Sequence, residues 1–495
     1  RPNGFRFVNW RRRRRRTTLE YTASATLCLS SFPFPSTAAP VADSASRFYA
    51  RCARTLFGVL LLWILLLWVL LLGVATPTLC LAHPLLQDGA SAESDGRETE
   101  TRSVVDVSAA YTADGMANVT GGVDTGAVLM DNFDASVSID LGALGWVPHT
   151  DVFVYGLGNQ GGSISNVVGD VQGVDNIETV NAWRLYEAFV QYRSPRHHAS
   201  VVGGLYDVNS EFAVLQTAQV FVNSSFGIGA AFALSRKKGP SIFPFTSLGA
   251  RVRVMPGATW YVQGAVLDGR PGERGDPRGH PLHFEANDGV LIVTEAGWST
   301  SSAGATTNPK AMRRQRVSRF GETQRRAYVG VGGWYYSATF DRIGVDRIGA
   351  GGNRRTLRGN RGVYLLGEVR LYAEDDPSTG TLHAFVQAGY ADSRVNRIAA
   401  YTGGGVVYTG LLPTRPADKL GVGLATAHNG ADYKRTQRRL GQPVDAAEWT
   451  TEFTYAAVVA PWLTVQGDVQ YVRHPGTRPS RADALVLGLR LQVAL

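Results

Sequence analysis

His197 and His198 are the first residues to test for chemistry, because adjacent imidazoles can begin a metal site. Such a pair either points to opposite faces of a strand or sits in a turn, however, and no cysteine follows residue 82 to complete a ligand set. Neither a metal nor a cofactor is expected. Serines and aspartates are plentiful, yet none stands in a nucleophile elbow or at a spacing that pairs it with a histidine, so the chain is not expected to be an enzyme. Polar side chains that recur two residues apart offer another chemistry. Arg251 and Arg253, Glu368 and Arg370, Asp468 and Gln470, and Arg490 and Gln492 have this spacing, and Arg184 joins them as a further cation. Guanidinium forks, carboxylates and amides hydrogen-bond vicinal hydroxyls and release them again. These residues are candidate contacts for a small polar solute.

A recurrence of two requires strands. Leu485, Leu487, Leu489, Leu491, Val493 and Leu495 share one parity, whereas Arg490 and Gln492 share the other. The run before it repeats the pattern, with Val465, Gly467, Val469 and Tyr471 against Gln466, Asp468 and Gln470. Val363, Leu365, Gly367, Val369 and Leu371 likewise oppose Tyr364, Glu368 and Arg370. A tilted strand of about eleven residues crosses a hydrocarbon layer. Backbone groups left unpaired in hydrocarbon cost several kcal/mol each, so a sheet that faces lipid must close on itself.

The formal charge of +9 would suit a nucleic-acid partner, but its distribution does not. The whole surplus lies in residues 1–82, where the Arg11–Arg16 run and other arginines outnumber Glu20 and Asp43; the remainder is neutral. No nucleic-acid partner is expected. Residues 1–55 read as a basic extension without a fold. Arg47, Arg51 and Arg54 precede the apolar span from Leu56 to Ala75, and Pro77 and the small Ala82 follow it, so 56–82 reads as a signal peptide. Residues 83–103 form a polar linker, and 104–495 form the exported body.

In that body eighteen runs of strand character can be drawn, including 104–113, 118–130, 135–142 and 226–235. Closure requires an even number, so the fold expected is an all-β transmembrane antiparallel β-barrel of 16 strands, with 18 as the alternative. Trp146, Trp183, Trp260, Trp298, Trp334, Trp449 and Trp462 fall near strand ends, where an interfacial girdle sits. Connections such as 268–288, 300–325 and 341–361 are long, whereas 256–259 and 460–462 are short. The arginines between Arg313 and Arg326 could meet lipopolysaccharide phosphates or line the mouth.

Several local patterns resemble the OprB-type carbohydrate-selective porin family over residues 104–495. They are Gly204 to Asn209 with Phe212, then Phe221 with Asn223-Ser224-Ser225-Phe226, and a C-terminal block from Ala447-Glu448 through Glu452, Tyr455, Pro461-Trp462-Leu463, Asp468 to Val472 and Pro475-Gly476 to Gly488–Gln492. The chain departs from the family where Gly467 replaces a frequent proline and Leu495 replaces the usual terminal phenylalanine. The resemblance implies a sixteen-stranded barrel with a narrowed channel that passes monosaccharides and similar solutes by facilitated diffusion. It also adds Asp207 and Asn209, from the matching motif, to the solute-contact candidates.

The reading is an outer-membrane porin of a Gram-negative bacterium, monomeric or a loose homo-oligomer. Its expected partners are outer-membrane lipid and lipopolysaccharide, carbohydrate solutes and the outer-membrane assembly machinery. The alternative is a secreted or periplasmic β-rich carbohydrate-binding protein without a channel, which would be recovered without detergent.

Overall fold

The computed structural model describes residues 104–195, 198–235, 239–272, 288–300, 325–344, 355–374 and 380–494. Residues 1–103, on which the expected extension, signal peptide and linker fall, lie outside the described residues, together with His197, most of the arginine-rich stretch and Leu495. Sixteen strands follow one another: β1 (Val105–Thr120), β2 (Gly126–Asp140), β3 (Thr150–Gly161), β4 (Ala182–Ser194), β5 (Ala199–Tyr206), β6 (Ser247–Val254), β7 (Trp260–Asp268) and β8 (Val290–Ser299). Then come β9 (Ala327–Asp341), β10 (Thr356–Ala373), β11 (Thr381–Ala391), β12 (Ile398–Thr409), β13 (Lys419–Asn429), β14 (Ala447–Ala460), β15 (Leu463–Arg473) and β16 (Ala484–Ala494). Each pairs antiparallel with its sequence neighbours, and β1 pairs with β16 to close the barrel, from Ala110 opposite Ala494 to Thr120 opposite Leu485. No sheet edge is left without a partner.

The surplus of expected strands has two local causes. The runs 104–113, 118–130 and 135–142 are only two strands, because Asp114-Gly115 and Asp131-Asn132 look like turn signals but continue the β1–β2 ladder. The apolar run 226–235 is not a strand; it contains a 3-10 turn and the short helix α2 (Ala230–Ala233), set between β5 and β6. An earlier helix, α1 (Ile164–Val168), lies between β3 and β4, and α3 (Ala431–Arg439) lies between β13 and β14. Gly169 ends α1 at φ 78°, where a side chain would meet the Arg481 guanidinium.

Outward positions carry the apolar parity: Leu129 is 79% exposed, Val363 60% and Leu489 59%. Six of the seven predicted girdle tryptophans stay at or near the barrel's surface, but Trp334 is buried inside, stacked on Phe232 at 5.4 Å. No helix among the described residues is long and apolar enough to cross a membrane. The connections sort by end. One end has 195–198, 255–259 and 461–462; the other has 162–181, 207–246, 269–289, 342–355 and 430–446. The connection 300–326 breaks the expected sorting, since its flanks Thr300 and Ala327 are hydrogen-bonded at the short-turn end.

Candidate functional site

The connection 207–246 cannot be an ordinary surface loop, because Phe212, Leu215, Val220, Phe221, Phe226 and Phe232 would all be wet. Instead it folds into the barrel, where these side chains are buried against the inner wall. Phe221 and Phe226 pack with ring centroids 4.5 Å apart and meet Phe385 of β11. Glycines on the inward parity of β13 make room for them: a Cβ at Gly423 would stand 2.7 Å from the Phe226 ring. The apolar sequence and the small wall residues are two halves of one fit.

Backbone polar groups carried inside must find partners, and the wall supplies them strand by strand. Glu295 of β8 accepts from the Ala213 N–H at 2.8 Å, and Glu368 of β10 from the Thr217 N–H at 3.0 Å. Glu452 of β14 accepts from Val222 and Asn223 at 2.6 and 3.0 Å. Gln466 of β15 donates to the Val220 carbonyl, and Gln387 of β11 and Tyr401 of β12 donate to that of Ser225. The segment thus sweeps along the wall from β8 to β15 and returns past β12 and β11. The shorter connection 162–181 is held in the same way: Glu448 accepts from Val171, Gln172 and Gly476, and Gln470 donates to the Val174 carbonyl at 2.9 Å.

The residues singled out in sequence all lie on the barrel's inner side or in its infolded connections. Most of them hold structure. Arg251 is 1% exposed; its Nε and Nη2 donate to Glu211 at 2.6 Å each, and its Nη1 donates to Ser200. Burial alone would raise the Glu211 carboxyl, but the Arg251 guanidinium holds it below its usual range. Arg253 lies 3.9 Å over the Tyr261 ring and donates to Gln263. Glu368 accepts from Thr217, as above, and from Arg325 at 3.5 Å. Asp468 accepts from Gln470, which also accepts from Asn223. Arg490 donates to Asp114 at 2.6 Å, to Asn176 at 2.9 Å and to Asp175 at 3.3 Å. Burial and the neighbouring Asp114 hold the Asp175 carboxyl well above its usual range despite Arg490. Gln492 is buried beside it on β16.

Asp207 caps a short 3-10 turn by accepting from the Asn209 N–H at 2.7 Å, and it also accepts from Tyr186 at 2.6 Å. Asn209 is half-buried and donates to the Phe212 carbonyl. Arg184 joins both infolded connections, donating to the carbonyls of Val180 and Pro244 at 3.0 and 3.1 Å while lying over Phe245. Arg370 is half-buried and makes no side-chain hydrogen bond among the described residues. His198 has φ 45° at the β4–β5 turn, and no cluster of metal-binding side chains occurs among the described residues. Glu295, Gln387, Tyr401, Glu448 and Gln466 were not singled out from sequence as functional. Their signal was an inward-parity carboxylate, amide or phenol facing a connection too apolar to be solvated.

Three comparisons agree with this architecture. The model of the carbohydrate-selective porin, OprB family, matches residues 125–495. Porin B of Pseudomonas aeruginosa is 25% identical over 415 residues, which is 77% of this chain and 86% of that protein. In fold, the chain is similar to Pseudomonas putida OprB solved at high pH, with TM-score 0.66, 20% identity, and coverage of 79% of this chain and 94% of the other. A closed sixteen-strand barrel with an apolar outside and this family match is an outer-membrane porin, and the chain belongs to the OprB family of carbohydrate-selective porins.

Proposed function

We propose that the chain passes monosaccharides and similar small polar solutes by facilitated diffusion, through a bore whose width is set by the connections 162–181 and 207–246. The observation that carries this reading is the succession of wall side chains, from Glu295 to Gln470, that hold infolded backbone against β8–β15. A bore narrowed in this way favours small solutes, and hydrogen-bonding groups along it replace part of a sugar's hydration and give it back. The name of the Pseudomonas aeruginosa relative says porin and that of the family says carbohydrate; both fit this reading.

Within the proposal the candidates divide by burial. Arg251, Arg253, Glu368, Asp468, Gln470, Arg490 and Gln492 keep the bore's shape, whereas the half-buried Arg184, Asn209 and Arg370 touch solute. Asp207 positions Asn209. The long-loop end faces outward and both ends of the strand series face the periplasm. On that orientation Thr300 and Ala327, the described flanks of the connection 300–326, lie at the periplasmic end, and contact with lipopolysaccharide is assigned to residues at the other end. Residues 56–82 serve as the export signal, cleaved after Ala82, and the assembly machinery inserts the barrel. N-terminal sequencing of the mature protein checks the cleavage.

Liposome swelling with purified protein tests the channel. Monosaccharides should enter clearly faster than trisaccharides of like composition. Equal rates for both, or none for either, would remove the proposal, and recovery of the protein in a detergent-free soluble fraction would favour the carbohydrate-binding alternative.

A further inference from the structure

Over the half of the barrel nearer the short turns, the outward strand positions among the described residues carry no arginine or lysine; Asp131 of β2, opposite Ala113, is an acid near mid-height. Toward the long-loop end the pattern changes along the arc from β9 to β15. Arg361 is exposed on the outer face opposite Tyr335, and Arg358 is exposed one bulge away opposite Thr339. Arg473 is exposed on the outer face opposite Trp449. Lys434 of α3 lies near His428, whose ring packs edge-on against Trp449 at 6.2 Å. Tyr335, Tyr390 and Trp449 are themselves exposed aromatics at this level, so these cations stand at the polar boundary of the apolar belt.

None of Arg358, Arg361, Lys434 or Arg473 makes an ion pair among the described residues. The acids near them are occupied. Asp392 pairs with Arg394 at 2.6 Å and Asp432 with Arg435 at 3.6 Å. Asp483 accepts from the Tyr471 hydroxyl and the His474 N–H, and Asp341 has a partner of its own. A row of cations with no ion pair among the described residues, beside exposed aromatics at the edge of a surface that faces hydrocarbon, would be costly unless anions lie in the same plane.

We propose that this arc is a docking surface for the phosphates of lipopolysaccharide in the outer leaflet, with Arg361 and Arg473 as its anchors. Planar guanidinium forks match phosphate oxygens, and the aromatics sit at headgroup height. At about 4.8 Å per strand, β10 and β15 are roughly 24 Å apart along the wall, so the arc engages several headgroup phosphates rather than one. The inference rests on the reading that the long-loop end faces outward.

The test uses the full exported protein in detergent, with R361E/R473E and the milder R361Q/R473Q. Binding of purified lipopolysaccharide, of its enzymatically dephosphorylated form and of inorganic phosphate is measured by native mass spectrometry. Wild type should hold the phosphorylated lipid at least about tenfold more tightly than R361E/R473E does. The glutamine variant should fall between them, and inorganic phosphate should not displace the lipid. Equal retention by wild type and both variants, or equal binding of the dephosphorylated lipid, would overturn the proposal. Conductance of the same preparations in phospholipid bilayers reads channel function separately and should be unchanged by the variants.

Discussion

Along β16 the two surfaces of the barrel alternate residue by residue. Leu489 is 59% exposed on the outer face, while Arg490, its neighbour, is 3% exposed and shared between Asp114 and Asp175. The outer face asks only that a side chain be apolar, so leucine, valine and glycine serve in turn. Where the infolded connections cover the inner face it asks for particular partners, because a carboxylate or guanidinium buried there is out of reach of water. Outer positions are therefore interchangeable within a class, and inner ones are not.

The sharpest way to break this contrast is at those two neighbours. Arg490→Ala should cost about 3–5 kcal/mol, because it leaves Asp114 and Asp175 buried together without their cation; chemical unfolding in detergent would read the loss. Leu489→Arg should cost about 2–4 kcal/mol by putting a charge against lipid, and should lower the yield of the heat-modifiable folded form. Leu489→Val, which changes size but not class, should behave almost as wild type.

Smaller effects should come from the infolded connections. Gly423→Leu should displace Phe226 and Phe221 and cost about 1–3 kcal/mol, with altered conductance at little change in insertion. Asp170, in the connection 162–181, is pushed up to about 6, first by burial and then by the nearby Glu178. A carboxyl raised from its ordinary 3.8 contributes stability that is fully present below that value and lost as pH rises through about 6. Protease resistance of this connection should therefore fall between pH 4 and pH 7, and Asp170→Asn should flatten the fall. The smallest expected change is that of Arg370→Ala, a shift in solute preference with folding stability altered by less than about 0.5 kcal/mol.

The wall was legible in sequence because it repeats one rule. The parity of Val363 to Leu371 and of Val465 to Tyr471 identifies β10 and β15, and the register of the pairs bears it out. The rule failed where inner polar residues imitate turns, as at Asp114-Gly115, and where an apolar run belongs to the filling rather than the wall, as at 226–235. The partners of the inner residues were not legible at all. Nothing in the spacing of Glu452 and Val222 announces that they meet, because the contact depends on how far across the bore a forty-residue connection reaches, and only the folded chain fixes that. Trp334 shows the same limit: read as a girdle residue, it lies at the middle of β9 and stacks on Phe232 inside the barrel.

The central claim is that side chains of the wall hold the infolded connection and so fix the width of the bore. Single-channel conductance in planar bilayers of the Glu368→Ala, Glu452→Ala double variant tests it most directly, because these carboxylates hold Thr217, Val222 and Asn223 and have no part in closing the barrel. A folded, heat-modifiable variant with clearly larger or noisier conductance than wild type is the predicted result. Conductance identical to wild type in a correctly folded variant would contradict the account.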